Sequence, residues 1–170
     1  MINLKYCPKC GKETLLWDSV KKWTCSNCDF VLYNNVAGAV AVIIKFEQEI
    51  LLTRRNQDPK SGKLDLPGGF VDPQESAEDT CFRELKEELS IEIDPTRLRF
   101  VGSLPNTYEY KNILYNTIDL FYEYELNAKG NLKLELSEIS ETVWIGQRDL
   151  NLDDLAFESQ KIFLQKHIQS

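Results

Sequence analysis

An α/β (α+β) sandwich, with a mixed sheet between helices and a small metal-binding module in front, is the fold the sequence predicts. Three observations predict it. Four cysteines arrive as two C-x-x-C pairs within the first 28 positions. From Val36 onward, β-branched and aromatic runs alternate with turn residues, as strands do. Two stretches, 75–89 and 152–168, instead carry the spacing of an amphipathic helix.

The metal-binding module comes first. Cys7 and Cys10 are separated by fourteen residues from Cys25 and Cys28. That spacing reads as a tetrahedral zinc site on two tight turns, the first followed by Gly11 and the second by Asp29. The segment between, "KETLLWDSVKKWT", reads as a hairpin carrying Trp17 and Trp23. Some thirty residues bury too little apolar surface alone, so the metal supplies folding energy. Two disulfides would need an oxidising compartment, and a redox C-x-x-C would need a βαβ setting that is missing here. Four thiolates leave no open coordination position, so a structural ion is expected. The stretch resembles a zinc ribbon. Its five lysines (Lys5, Lys9, Lys12, Lys21 and Lys22) give it a mildly basic tint.

The remaining elements follow in order. "VAGAVAVIIKF", the turn "EQE" and "ILLTRR" form a hairpin or two neighbouring strands. "NQDPKSGKLDLPGGFVDPQ" is loop, dense in Pro, Gly, Asp and Asn. After the helix at 75–89, "LRFVGSLP" is a short strand and "NTYEYKNILYNTIDLFYEYEL" alternates like two long ones. "NAKGN" turns, "ETVWIG" is a further short strand, and the chain closes in a helix. The expected division is 1–34 for the ribbon and 35–170 for the sandwich.

Composition narrows the function. The 170 residues carry a formal charge of −7, with 42% hydrophobic and 28% charged residues. Such a surface repels nucleic acid and anionic membranes, so neither is expected as a partner, and an anionic substrate needs a metal or a local basic cluster. The sequence has no run of eighteen apolar residues and no signal-peptide layout at its start, so a cytoplasmic protein is expected. The single histidine, His167, lies three residues from the end, reads as a surface residue, and argues against Ser-His-Asp and Cys-His catalysis.

The helix at 75–89 carries the chemistry. Ala77, Cys81, Leu85 and Leu89 fall four apart and form an apolar stripe, which makes Cys81 a small buried hydrophobe. Glu84, Glu87 and Glu88 fall at i, i+3 and i+4 on another face, where like charges repel by a few tenths of a kcal/mol. A solvated acidic face softened by Arg83 and Lys86 is the plain reading. Against it stands Pro67-Gly68-Gly69 just upstream, a turn whose glycines let backbone approach a ligand. Three carboxylates and a backbone carbonyl suit a hard cation, Mg²⁺ or Mn²⁺.

At these positions the chain resembles the signature of the Nudix hydrolases, G-x5-E-x7-R-E-U-x-E-E-x-G-U. Gly69, Glu75, Arg83, Glu84, Leu85, Glu87, Glu88 and Ile91 match it, and Ser90 stands where the family has glycine. The resemblance implies a Nudix-type α/β/α sandwich from Val36 onward. It implies that Glu84, Glu87 and Glu88 coordinate catalytic Mg²⁺, joined by the Gly68 carbonyl, and that one of these glutamates or a later one is the base. It implies that Glu75 and Arg83 brace the Gly69 loop. A further ligand is expected before the late Trp144 strand, at Glu138 or else Glu141. The reaction implied is cleavage of a nucleoside diphosphate linked to another group. A ribbon joined to such a domain resembles the NADH pyrophosphatases, whose S-Q-P-W-P-F-P-type segment is replaced here by "SLPNTYEYKNILY". NADH/NAD and ADP-ribose-like compounds therefore both stand as substrates. Arg54 and Arg55 are candidates for phosphate contacts, and Tyr108, Tyr110 and Tyr115 for base stacking. Homodimers are frequent among such proteins, and the sequence singles out no interface. The alternative function is a non-catalytic module, with the ribbon contacting nucleic acid or protein and the larger domain sensing a nucleotide. The intact set of three glutamates favours the enzyme.

Overall fold

The structure, a computed structural model, describes residues 4–168. The ribbon is a three-stranded antiparallel sheet, β1 (Leu15–Trp17), β2 (Lys22–Cys25) and β3 (Val31–Tyr33). Its third strand extends the hairpin read from the sequence. Trp17 and Trp23 pack with centroids 4.4 Å apart, and Trp23 and Leu15 are buried with Cys7 and Cys25 in a core of their own.

The larger sheet is mixed. β4 (Ala37–Phe46) and β5 (Glu49–Arg55) form the expected hairpin. β7 (Arg99–Tyr110) and β8 (Ile113–Glu125) form a second, turning at Lys111–Asn112. "LRFVGSLP" is thus the first half of one long strand, not a strand by itself. β8 runs parallel to β4, and β9 (Ile139–Gly146) pairs antiparallel with β5. Two helices cover the faces: α1 (Ala77–Leu89) and α2 (Glu158–Ile168). A 3-10 turn at Leu152–Asp154 and a break at 155–157 shorten the terminal helix relative to its periodicity.

Alternation along β4 separates two cores. Val40, Val42 and Ile44 meet Cys81, Leu85 and Leu89 of α1, all essentially without exposure. Ala41 and Ile43 face the other way, with Ile50, Leu52, Phe121 and Leu164 of α2. The Cys81 thiol, pushed up to about 12 by burial, is inert.

The β4–β5 hairpin splays after its first three pairs, and the chain uses the gap. β4 and β5 pair at Ile44–Leu51, Lys45–Ile50 and Phe46–Glu49. Beyond that, β5 pairs with the two-residue strand β6 (Leu64–Asp65), while Val42 and Val40 donate to the Pro67 and Gly69 carbonyls at 2.8 Å each. Residues 64–71 are thereby wedged between the two strands, within the segment expected to be loop.

His167 is not a free surface residue. Its Nε2 lies 2.7 Å from Glu123 Oε2, its ring stacks on Phe163, and only 22% of its side chain is exposed. Glu123 also pairs with Lys45 and Arg99 at 2.5 Å each. Burial opposes ionisation of Glu123, but the bonds from Lys45, Arg99 and His167 overrule it and hold the carboxyl at about 2. A carboxyl depressed below its ordinary 4.5 adds stability that is complete above pH 4.5 and is lost as pH falls through about 2. Glu123→Gln should therefore destabilise the chain by about 1–3 kcal/mol at pH 7. Urea titrations should show that gap to wild type closing between pH 4.5 and pH 2.

Candidate functional site

Of the two glycines before α1, Gly68 is sterically required. A Cβ on Gly68 (φ +147°) would stand 2.2 Å from the Val40 carbonyl oxygen, and one on Gly69 would stand 2.2 Å from Glu84 Oε1. Only bare backbone fits against β4 at Gly68, whereas at Gly69 an added methyl would displace the Glu84 carboxylate. The carbonyls on either side of Gly68 are taken by β4, and among the described residues its own carbonyl accepts no hydrogen bond. The Gly68 N–H donates to Glu88 Oε2 at 3.2 Å.

α1 starts in a capping box, with Ser76 Oγ accepting from Asp79 N–H at 3.1 Å and Asp79 Oδ2 from Ser76 N–H at 3.3 Å. It ends at Ser90, which takes the left-handed conformation (φ 55°, ψ 34°) that glycine takes more easily. The serine therefore leaves the helix terminus in the glycine geometry at a cost of about 1 kcal/mol.

Arg83 ties the loop to the helix. Nε and Nη2 bond Glu75 at 2.8 and 3.1 Å, and Nη2 also reaches the Phe70 carbonyl at 3.1 Å. Arg83, Thr80 Oγ1 and the Asp72 N–H hold the Glu75 carboxyl at about 2. Arg83 Nη1 sits 2.8 Å from Glu84 and 3.1 Å from Glu87, so one guanidinium nitrogen holds two of the three carboxylates. Glu87 is exposed and Glu84 is nearly covered. Glu88 is buried, with 8% of its surface exposed. Burial first, then the neighbouring Asp65 and Glu84 carboxylates, push the Glu88 carboxyl well above its ordinary range. Burial likewise raises Glu84. A divalent cation among these groups would reverse the sign of their mutual repulsion.

The glutamates open into a cavity of about 360 Å³, large enough for a nucleotide. Of the residues singled out in the sequence, Gly68, Gly69, Arg83, Glu84, Glu87, Glu88, Glu138, Arg55 and Tyr108 line it. Glu138 is delivered by a loop whose Glu135 N–H bonds the Glu88 carbonyl at 3.0 Å, at the end of α1. Glu141 is instead turned to Arg54, 2.5 Å from its Nε. Arg54 and Tyr110 do not line the cavity, and Tyr110 and Tyr115 are exposed toward the tip of the β7–β8 hairpin. Arg55 Nη1 bonds Asp65 at 2.6 Å, its Nε bonds the Pro59 carbonyl at 2.8 Å, and its guanidinium lies over Phe157. Sequence reading passed over Asp65, Asn106, Asp119, Phe157 and Gln160, all of which line the cavity. None belongs to a local pattern that the sequence alone displays.

The four ribbon thiols converge within 4.8 Å of one another. The Cys7–Cys28, Cys10–Cys25 and Cys25–Cys28 sulfur separations are 3.7, 3.8 and 3.5 Å. Sulfurs around a tetrahedral zinc with bonds of about 2.3 Å stand roughly 3.8 Å apart, so the set fits that ion. The two turns match: Gly11 N–H bonds Cys7 O and Asp29 N–H bonds Cys25 O, each from a positive φ. The Thr14 hydroxyl 3.1 Å away, helped by the Asn27 N–H, draws the Cys25 thiol down to about 6, while, against the Phe30 N–H, burial and the neighbouring thiols push Cys28 up to about 12.

Sheet, wedge and carboxylate helix together define a Nudix-type sandwich, and comparison with known proteins agrees. The model of the NUDIX domain family matches residues 34–166. The chain belongs to that family. A NAD-capped RNA hydrolase NudC of Vibrio vulnificus is 27% identical over 148 residues, covering 87% of this chain and 53% of the relative. One of Pseudomonas fluorescens is 35% identical over 101 residues, covering 58% and 35%. The chain spans about half the length of the curated relatives it matches. Among solved structures, a NUDIX hydrolase from Nitrosomonas europaea superposes with TM-score 0.69 at 20% identity, over 98% of this chain and 94% of that one. A MutT NUDIX hydrolase from Burkholderia pseudomallei gives 0.66 at 24%, over 77% and 97%. These two establish the fold. Among the described residues, no helix is long and apolar enough to cross a membrane.

Elemental analysis of purified protein should find one zinc per chain. Chelation should remove the near-ultraviolet circular dichroism of the Trp17–Trp23 pair. Protein without zinc, its thiols oxidised, would overturn the ribbon assignment.

Proposed function

We propose that the chain is a divalent-cation-dependent pyrophosphohydrolase. It cleaves the anhydride of a nucleoside diphosphate joined to another group, with NAD-type dinucleotides as the leading class and ADP-ribose-like compounds beside them. The observation that carries this reading is Glu88: a carboxylate buried beside Glu84, Asp65 and Glu138, with one backbone N–H for company. An arrangement so costly in an apo protein suits a cation that offsets it. Glu84, Glu87, Glu88 and the Gly68 carbonyl would hold Mg²⁺ or Mn²⁺, with Glu138 as a further ligand. The bound cation would neutralise the pyrophosphate and lower the pKa of the attacking water.

The chain's own groups do the rest. Arg83 keeps Glu84 and Glu87 aligned and anchors the loop through Glu75. Arg55, at the cavity wall, is placed to meet a phosphate oxygen. One of Glu84, Glu87 and Glu88, or a later glutamate, serves as the base that takes the proton from water. The names of the curated relatives support a NAD-type end, and they also put RNA behind it. The charge favours a free dinucleotide, since beyond the ribbon 15 basic residues face 24 acidic ones. The same intact glutamate set argues against a purely sensing domain.

Glu87→Gln should lose Mg²⁺-dependent hydrolysis by about 10²-fold or more with the fold unchanged. A panel of NADH, NAD, ADP-ribose, nucleoside triphosphates and NAD-capped RNA, scored by product, identifies the substrate. Wild-type turnover in Glu87→Gln would sink the cation assignment, and silence across the panel would favour a sensor.

A further inference from the structure

Besides Glu88 and Asp65, the cavity is lined by a third buried carboxylate. Asp119 of β8 is 6% exposed. Its Oδ2 accepts from Asn106 Nδ2 at 2.9 Å and Ser159 Oγ at 2.5 Å, and its Oδ1 accepts from Thr117 Oγ1 at 3.1 Å. Three donors come from β7, β8 and the start of α2, and among the described residues Asp119 has no ion pair with Lys or Arg. Ser159 and Thr117 are buried, and Ser159 ties α2 to β8.

Asn106 is only half-buried, and like Thr117 it lines the cavity. A carboxylate offers only acceptors, so the NH₂ of the amide must face Asp119, and its orientation follows from chemistry. That leaves Oδ1 and the second Nδ2 hydrogen without a partner among the described residues, and no buried polar side-chain atom there lacks a hydrogen bond. Oδ1 is therefore not fully buried, on a residue that lines the cavity. Small residues make room beside it, since Ala37 and Ala39 of β4 pair with Thr117 and Asp119. Two residues along β7 on the same face, Tyr108 packs 5.9 Å from Phe157 and 5.2 Å from Phe70, which makes an apolar aromatic wall.

We infer that Asn106, held in one orientation by Asp119, reads the edge of an aromatic ring that presents an amine beside an acceptor. A fixed amide pairs two-pronged with such an edge, and aromatic side chains supply flat contact for the ring. In a NAD-type dinucleotide two groups have this chemistry, the 6-amino edge of adenine and the carboxamide of nicotinamide. Asn106 is the contact and Asp119 the positioning residue. The inference rests on reading the cavity as a dinucleotide site.

The test is equilibrium binding with Ca²⁺ in place of Mg²⁺, by calorimetry. The ligands are NAD, its hypoxanthine analogue (amine replaced by a carbonyl) and its nicotinic acid analogue (carboxamide replaced by a carboxylate). Wild type should bind NAD on the order of tenfold or more tighter than one analogue, and the analogue that fails identifies which ring is read. Asn106→Leu, similar in shape, should lose that preference. Asp119→Asn, which lets the Asn106 amide turn, should shrink or invert it; this variant also serves if Asn106→Leu does not fold, with thermal midpoints as the check. Equal affinity of wild type for all three, binding of none, or an unchanged preference in both variants overturns the inference. A wild type that prefers NAD yet cleaves no anhydride with Mg²⁺ leaves the inference standing and refutes the hydrolase.

Discussion

The contact between Gly68 and the Val40 carbonyl decides where the rest of the cavity lies. Because no side chain intervenes, the segment 64–71 can enter the gap between β4 and β5 and hydrogen-bond with both strands. The wedge then puts Asp65 and the Gly68 N–H against Glu88, and Gly69 against Glu84. Arg83 fastens the assembly from the helix side through Glu75 and the Phe70 carbonyl. Movement of the wedge would alter every one of these contacts. Ser90, the one departure from the signature, lies at the far end of α1 and keeps the turn that glycine would make.

An acidic protein with an acidic cavity must manage its own repulsion, and its buried carboxylates do so differently. Near α1, Arg83 bridges Glu84 and Glu87, while Glu88 stays buried with a single backbone donor. Among the described residues Glu88 has no basic partner, and a cation would supply that charge. Neutral donors satisfy Asp119, and Arg55 and Gln160 satisfy Asp65. The proposed cation site and the proposed ring contact both rest on this difference in charge satisfaction.

What was legible in the sequence was local. Cysteine spacing located a site whose sulfurs do converge, and helical periodicity separated the buried stripe of α1 from its carboxylate face. What was not legible depends on distant pairing. The wedge hides in a stretch whose Pro and Gly content reads as loop, because its hydrogen bonds go to β4 and β5 rather than to neighbours. Tyr108 and Tyr110 share a strand face by period, but β8 meets β4 only up to Thr117, so Tyr110 projects past the sheet while Tyr108 reaches Phe157. Arg54 and Arg55 are adjacent in sequence and point to opposite sides, one to Glu141 and one to Asp65. His167 looked terminal and free, yet Glu123 draws it into the packing of α2.

The most direct test of this construction is the affinity for Mn²⁺, followed by electron paramagnetic resonance, in wild type and Gly68→Ala. The added methyl would collide with the Val40 carbonyl and lift the wedge from β4 without touching any carboxylate. The expected result is a roughly tenfold or greater loss of Mn²⁺ affinity, about 1.4 kcal/mol or more, with circular dichroism like that of wild type. Undiminished Mn²⁺ binding in Gly68→Ala would contradict the claim that the wedge builds the cation site.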